Sequence, residues 1–242
     1  MTVEPISLII PAWNEEHRIG RSIDRILDEG ATLGIGEVII VDDGSTDDTA
    51  AIVRARVASH EGLPRLRLIP HEVNRGKGAA LRAGLLAATS PLIGYLDADL
   101  SIGPAPFRAA RALIADGADI VVGYRISYTG LPDGKGQLRL RRFLSMAFKR
   151  VQRWLIGLSV RDTQCPFKLF TRQAVAQVVP PCRLDGWAFD VEVLHLATRA
   201  GLRIEELPVP WEFADGSTVH LDAWTAWRTL RELFIIRRTH GA

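Results

Sequence analysis

Short apolar runs alternate with amphipathic stretches of ten or more residues through the first half of this chain of 242 residues. ISLIIPAW (6–13), EVIIVDDGS (37–45), RLRLIPH (65–71), PLIGYLDADL (91–100) and DIVVGYR (119–125) predict five strands. The stretches between them predict helices. The first places Ile19, Ile23, Ile26 and Leu27 on one face at helical spacing. Strands separated by helices imply an α/β fold: a mostly parallel, Rossmann-like sheet with helices on both faces.

Ligands of such sheets bind beyond the strand C-terminal ends. The polar signals lie there. Asn14 and Glu15 follow the first strand, Asp42 and Asp43 end the second, and Asn74 to Gly78 follow the third. Asp97 and Asp99 follow the fourth, and Arg125 ends the fifth. Two carboxylates at i, i+2 on a strand face the same side. Held together, Asp97 and Asp99 need a cation, and hard oxygen ligands suit Mg²⁺ or Mn²⁺ shared with substrate phosphates. NRGKG (74–78) predicts a glycine-rich helix entry whose N-terminus favours an anion, with Lys77 and Arg75 adding charge. It lacks the Walker A spacing. Of Asp42 and Asp43, one is expected to meet a base or ribose and the other to cap the next helix; alternation does not say which.

The net charge of +2, from 30 basic and 28 acidic residues, excludes a strongly basic nucleic-acid binder. Cys165 and Cys182 have no metal-ligand spacing and predict reduced thiols. His17, His60, His71 and His195 form no zinc pattern with them. MTVEPISLII has no basic n-region, so no signal peptide is expected, and no run reaches the ~18 apolar residues of a membrane span. These features predict a cytoplasmic protein.

After residue 126 the alternation loosens. YTGLPDGKGQ (128–137) predicts a mobile loop, and LRIEELPVPWEFAD (202–215) an edge strand because of its prolines. Two segments mix arginine with large apolar residues. In 139–156 Leu140, Phe143, Phe148 and Leu155 stand among Arg141, Arg142, Lys149 and Arg153. In the tail Trp224, Trp227, Leu233, Phe234 and Ile236 stand beside Arg228, Arg231, Arg237 and Arg238. That composition fits interfacial helices on a membrane surface, or helices packed on the sheet.

PAWNEE, VDDGSTDDT, NRGKGAALRAG, LDADLS, VGYR, RDTQCPFKLF and WAFDVEVL fall in the order and spacing of the family-2 glycosyltransferases. Over residues 6–215 the chain resembles the dolichyl-phosphate glucosyltransferase and mannosyltransferase group, the glucosyltransferase branch more closely. The resemblance implies a GT-A fold over 1–215, with a nucleotide-sugar half (1–125) and an acceptor half (126–215), then a basic helix (216–242). It implies an inverting transfer of a hexose, glucose by preference, from a nucleotide-diphosphate sugar such as UDP-glucose to a polyprenyl or dolichyl phosphate. Mg²⁺ or Mn²⁺ would assist, and the enzyme would sit peripherally on the cytoplasmic membrane face. Pro11, Ala12, Asn14 and Glu15 would line the nucleotide site, and Asp42 or Asp43 would read the base. Asp97 and Asp99 would meet metal and sugar-diphosphate, and Lys77 and Arg125 the phosphates. Asp190, in FDVE, is the candidate base or acceptor-orienting carboxylate, with Asp162 and Gln164 behind it. Ser101 stands where the mannosyltransferases carry Gln, and Pro166 where the glucosyltransferases carry Gly. A soluble saccharide or hydroxy-acid acceptor, and a non-catalytic nucleotide-binding subunit, are the alternatives.

Overall fold

The computed structural model describes residues 4–126, 157–212 and 223–241. The elements run β1 (Ile6–Ala12), α1 (Ile19–Leu33), β2 (Ile35–Asp42), α2 (Thr49–Ser59), β3 (Arg65–Pro70), α3 (Lys77–Ala87), β4 (Leu92–Leu96), α4 (Phe107–Ala115) and β5 (Ile120–Arg125). Then follow β6 (Phe167–Thr171), α5 (Arg172–Val178), α6 (Phe189–Arg199), β7 (Ile204–Val209) and α7 (Ala223–His240). All five predicted strands form. The loop and basic segment expected over 128–137 and 139–156 fall outside the described residues.

The strands make one sheet in the order β3-β2-β1-β4-β6-β5-β7. β1 pairs in parallel with both β2 and β4. Chain order therefore reverses between β1 and β4, and sheets of this kind bind ligands beyond the strand C-terminal ends at such a reversal. β6 runs antiparallel to β4 and β5 and inserts between them. β7 lies parallel to β5 at the edge, where its Pro208 needs no ladder partner on the open side.

Alternation along the strands feeds two cores. Ile9, Ile39, Val41, Ile93 and Tyr95 join side chains of α3, α5, α6 and α7 in one. Leu8, Ile10, Val38, Ile40 and Leu96 join α1, α4 and Val53 of α2 in the other. This is the pleat sending successive side chains to opposite faces. α3 lies close on the first face, because a Cβ at Gly84 would stand 2.5 Å from Ile9 Cγ2.

The tail helix α7 belongs to this body. Leu233 and Ile236 are fully buried in the core that contains α6. Phe234 is 58% exposed, and Arg231, Arg237 and Arg238 are exposed with it. The packing expectation is met at Leu233 and Ile236, and the side chains of Trp224, Trp227 and Arg228 lie outside the described ones. Among the described residues no helix is long and apolar enough to cross a membrane.

Candidate active site

The pair Asp97 and Asp99 does not sit on a strand. β4 ends at Leu96, and the chain turns with Leu100 N–H donating to Asp97 C=O at 3.1 Å and Leu100 at φ 48°. The two half-buried carboxylates are thus placed by this turn and not by strand alternation. Asp99 Oδ1 also accepts from Ser101 N–H at 2.9 Å, which fixes its direction.

Lys77, the first residue of α3, reaches them. Its Nζ lies 2.5 Å from Asp97 Oδ1 and 5.0 Å from the Trp187 ring centroid. Burial would lower the Lys77 pKa, but the charges of Asp97, Asp190 and Asp99 outweigh it and hold it above its ordinary value. Glu15 faces the same cluster. Burial raises its pKa, the bond to Arg18 opposes this, and Asp99 and Asp97 add to the rise. Glu15 Oε2 lies 2.7 Å from Arg18 Nε.

The NRGKG loop is held differently from expectation. The first amides of α3 do not wait for a phosphate: Gly78 and Ala79 N–H donate to Asp185 C=O at 2.7 and 3.2 Å. A Cβ at Gly76, which has φ +105°, would stand 2.4 Å from that same oxygen. Asp43 closes the loop from the other side. Its Oδ1 accepts from Arg75 N–H at 3.1 Å and its Oδ2 from Gly76 N–H at 2.7 Å, while His71 Nδ1 lies 2.8 Å from Oδ1. Asp43 thus braces the entry to α3. Neither it nor Asp42 caps the next helix; Asp47 Oδ1 takes Thr49 N–H at 3.0 Å instead. Asp42 makes one long contact, 3.3 Å from Ser45 N.

Pro11 and Ala12 end β1. Asn14 sits at φ 53°, with its Oδ1 accepting Thr46 N–H at 2.9 Å, so it joins the β1 and β2 ends. Trp13 beside it is 51% exposed. Arg125 leaves β5 with Nε and Nη2 on the two oxygens of Asp162 at 2.7 and 2.9 Å.

Asp190, in the first turn of α6, is 3% exposed. Its Oδ1 lies 2.6 Å from Nζ of Lys168, a fully buried lysine on β6, and accepts from the Tyr95 hydroxyl. Burial and then the Asp190 charge raise the Tyr95 phenol well above its ordinary value, which keeps it a donor. Sequence reasoning named Asp190 but missed Lys168 and Tyr95. The signal was there: a lone lysine inside the apolar strand FKLF must find a carboxylate.

Asp97 and Asp99 are the residues suited to a hard divalent cation. Among the described residues no group of three His, Cys, Asp or Glu converges on one point. Two carboxylates still fit Mg²⁺ or Mn²⁺, which keep water and take substrate phosphate oxygens for the rest of their shell.

A strand order that reverses between β1 and β4, an Asp-turn-Asp beside a lysine, and helices on both sheet faces are the layout of an α/β fold that binds its ligand beyond the strand ends. The chain belongs to glycosyl transferase family 2, whose family model matches residues 7–179. It is a glycosyltransferase, and its fold is GT-A. Its relatives include the dolichyl-phosphate beta-glucosyltransferase of Dictyostelium discoideum, 32% identical across 88% of this chain and 68% of that protein. The enzyme of the same name from Saccharomyces cerevisiae is 32% identical across 97% of this chain and 75% of that one. Glucosyl-3-phosphoglycerate synthase from Mycobacterium tuberculosis, solved with Mn²⁺, uridine-diphosphate and glucosyl-3-phosphoglycerate, matches with TM-score 0.69 at 21% identity. That match covers 98% of this chain and 80% of the synthase, and it shows the fold.

Proposed function

We propose that this enzyme moves glucose from UDP-glucose to a polyprenyl phosphate of the dolichyl type, with inversion at the anomeric carbon. The observation that carries the reading is Lys77 seated on Asp97 in the carboxylate turn after β4, at the sheet's reversal point, in a chain whose relatives bear that activity in their names.

The acceptor phosphate oxygen attacks the anomeric carbon, a new carbon–oxygen bond forms, and the bond to the nucleoside diphosphate breaks. A phosphate oxygen is already ionised near neutral pH, so no strong general base is required. Asp190 suits that chemistry as an orienting charge behind Lys77, because its Oδ1 already accepts from Lys168 and Tyr95. A divalent cation on Asp97 and Asp99 would supply Lewis-acid stabilisation of the departing diphosphate. Lys77 adds a mobile positive charge beside it, and Arg125, braced by Asp162, adds a second at the end of β5. Asp43 and Asp185 keep the Lys77 loop in place from either side. Asp42, Pro11, Ala12 and Asn14 line the base and ribose end.

The enzyme works peripherally on the cytoplasmic face of a membrane. The exposed Arg231, Phe234 and Arg238 recur at i, i+3 and i+7 on α7, the stripe an interfacial helix presents.

The test is incubation of the purified chain with a panel of radiolabelled nucleotide sugars and a short polyprenyl phosphate. Label from UDP-glucose should enter the organic phase. Label appearing only in a water-soluble product would replace this reading with a soluble acceptor.

A further inference from the structure

We propose that Lys77 is an internal counter-ion that competes with the divalent cation for Asp97, so that cation and nucleoside diphosphate bind as a coupled pair. The inference rests on the reading that Asp97 and Asp99 hold the cation.

The competition follows from one oxygen. Lys77 Nζ lies 2.5 Å from Asp97 Oδ1. A divalent cation sits about 2.0–2.1 Å from a ligating carboxylate oxygen. Ammonium and cation cannot share that seat, because both are positive and the site is only partly solvated. The Lys77 side chain is 13% exposed and that of Asp97 28%.

Only the side chain has to move. The backbone of α3 at this point is fixed by Gly78 and Ala79 N–H on Asp185 C=O, and by Asp43 on the Gly76 amide. From that anchor a four-carbon stem swings a compact charge with rotatable donors. The Trp187 ring flanks it 5.0 Å away and offers a cation–π surface along the path. A nucleoside diphosphate gives the ammonium a new partner at the moment the cation needs Asp97. A cation alone must displace the lysine with nothing to receive it. Such coupling is reciprocal: the diphosphate tightens the cation by the factor the cation tightens the diphosphate.

The experiment is titration of Mn²⁺ into the full chain, with and without UDP, reading free Mn²⁺ by electron paramagnetic resonance. Wild type should bind Mn²⁺ weakly alone and more tightly with UDP. Lys77→Gln and Lys77→Met should each bind Mn²⁺ alone about tenfold more tightly than wild type, the scale of one lost charge-assisted contact. In both, the gain from UDP should shrink. Lys77→Arg keeps the charge and should stay near wild type. A folded Lys77→Gln or Lys77→Met that binds Mn²⁺ alone no better than wild type overturns the proposal. So does a wild type that UDP does not tighten. A wild-type readout covers variants that fail to fold. The ¹⁵N ammonium resonance of Lys77 should shift when Mg²⁺ and UDP bind together, and a resonance unmoved by both overturns the proposal. None of these readouts involves sugar transfer, so their failure is separable from failure of the glucosyl-transfer reading.

Discussion

Glu192 joins the end of the chain to the donor loop: His240 Nε2 lies 2.8 Å from its Oε1, and the same carboxylate accepts the amides of Arg183 and Leu184 at 2.9 and 2.8 Å. The next residue, Asp185, carries the carbonyl that holds the start of α3. His240→Ala removes one partner of a carboxylate that is 1% exposed. Stability to urea should fall by about 1–3 kcal/mol, the scale for loss of a buried hydrogen-bond partner. UDP affinity should fall as well, because the segment that positions Lys77 loosens. A variant with wild-type stability would show that this end of the helix contributes nothing to the fold.

The buried pair of Lys168 and Asp190 makes a sharper demand. Their side chains are 0% and 4% exposed. Lys168→Met leaves a carboxylate in the core with the Tyr95 hydroxyl on it, and breaking such a pair costs about 3–5 kcal/mol. The double variant Lys168→Met/Asp190→Leu should regain much of that loss. Equilibrium denaturation of the three proteins checks it, and a double variant no better than the single would remove charge burial as the cause.

Asp99→Asn should remove most activity and leave the melting temperature near wild type. Its half-buried side chain contributes a charge to the turn rather than volume to either core. Chelation with EDTA should abolish turnover of the wild type, and Mg²⁺ or Mn²⁺ should restore it. Full turnover in chelator would detach Asp97 and Asp99 from a cation.

Glu37 sets part of the acid limit of the fold. Burial pushes its pKa up, but bonds from Ser7, Arg67 and the Thr89 amide outweigh this and leave it below its ordinary 4.5. A carboxyl lowered on folding adds stability above its unfolded pKa and loses it as pH falls through the folded value. Glu37→Gln should therefore be clearly less stable than wild type at pH 7, and the gap should close as pH drops below about 4.5. A gap that is constant with pH would assign the loss to shape rather than charge.

The first half of the fold was legible because its strands are continuous apolar runs punctuated by helical spacing. Strand ends located the crevice for the same reason. The antiparallel β6 was not legible in its place, since five residues carry no sign of their neighbours. The cation pair was legible as Asp-x-Asp, but its geometry was not. Leu100 in a left-handed turn, not alternation, places the carboxylates after β4. Asp43 and the α3 amides look like ligand groups in sequence. Their partners, Gly76 and Asp185, lie far along the chain, and no local pattern announces them. Lys168 was the reverse case, a residue whose burial demanded a partner that sequence could have supplied.

The placing of β6 also governs how this chain can be made. β4 carries Tyr95 in the middle of the sheet, yet one side of it is covered only by a strand synthesised after β5 and the whole following connection. On the ribosome, Leu92–Leu96 must remain an open, apolar edge until Phe167–Thr171 emerges to close it. Such an edge is a template for pairing with other chains. The strand that bears Lys168 is thus also the shield of the nascent protein. Residues chosen there have to satisfy assembly as well as the site.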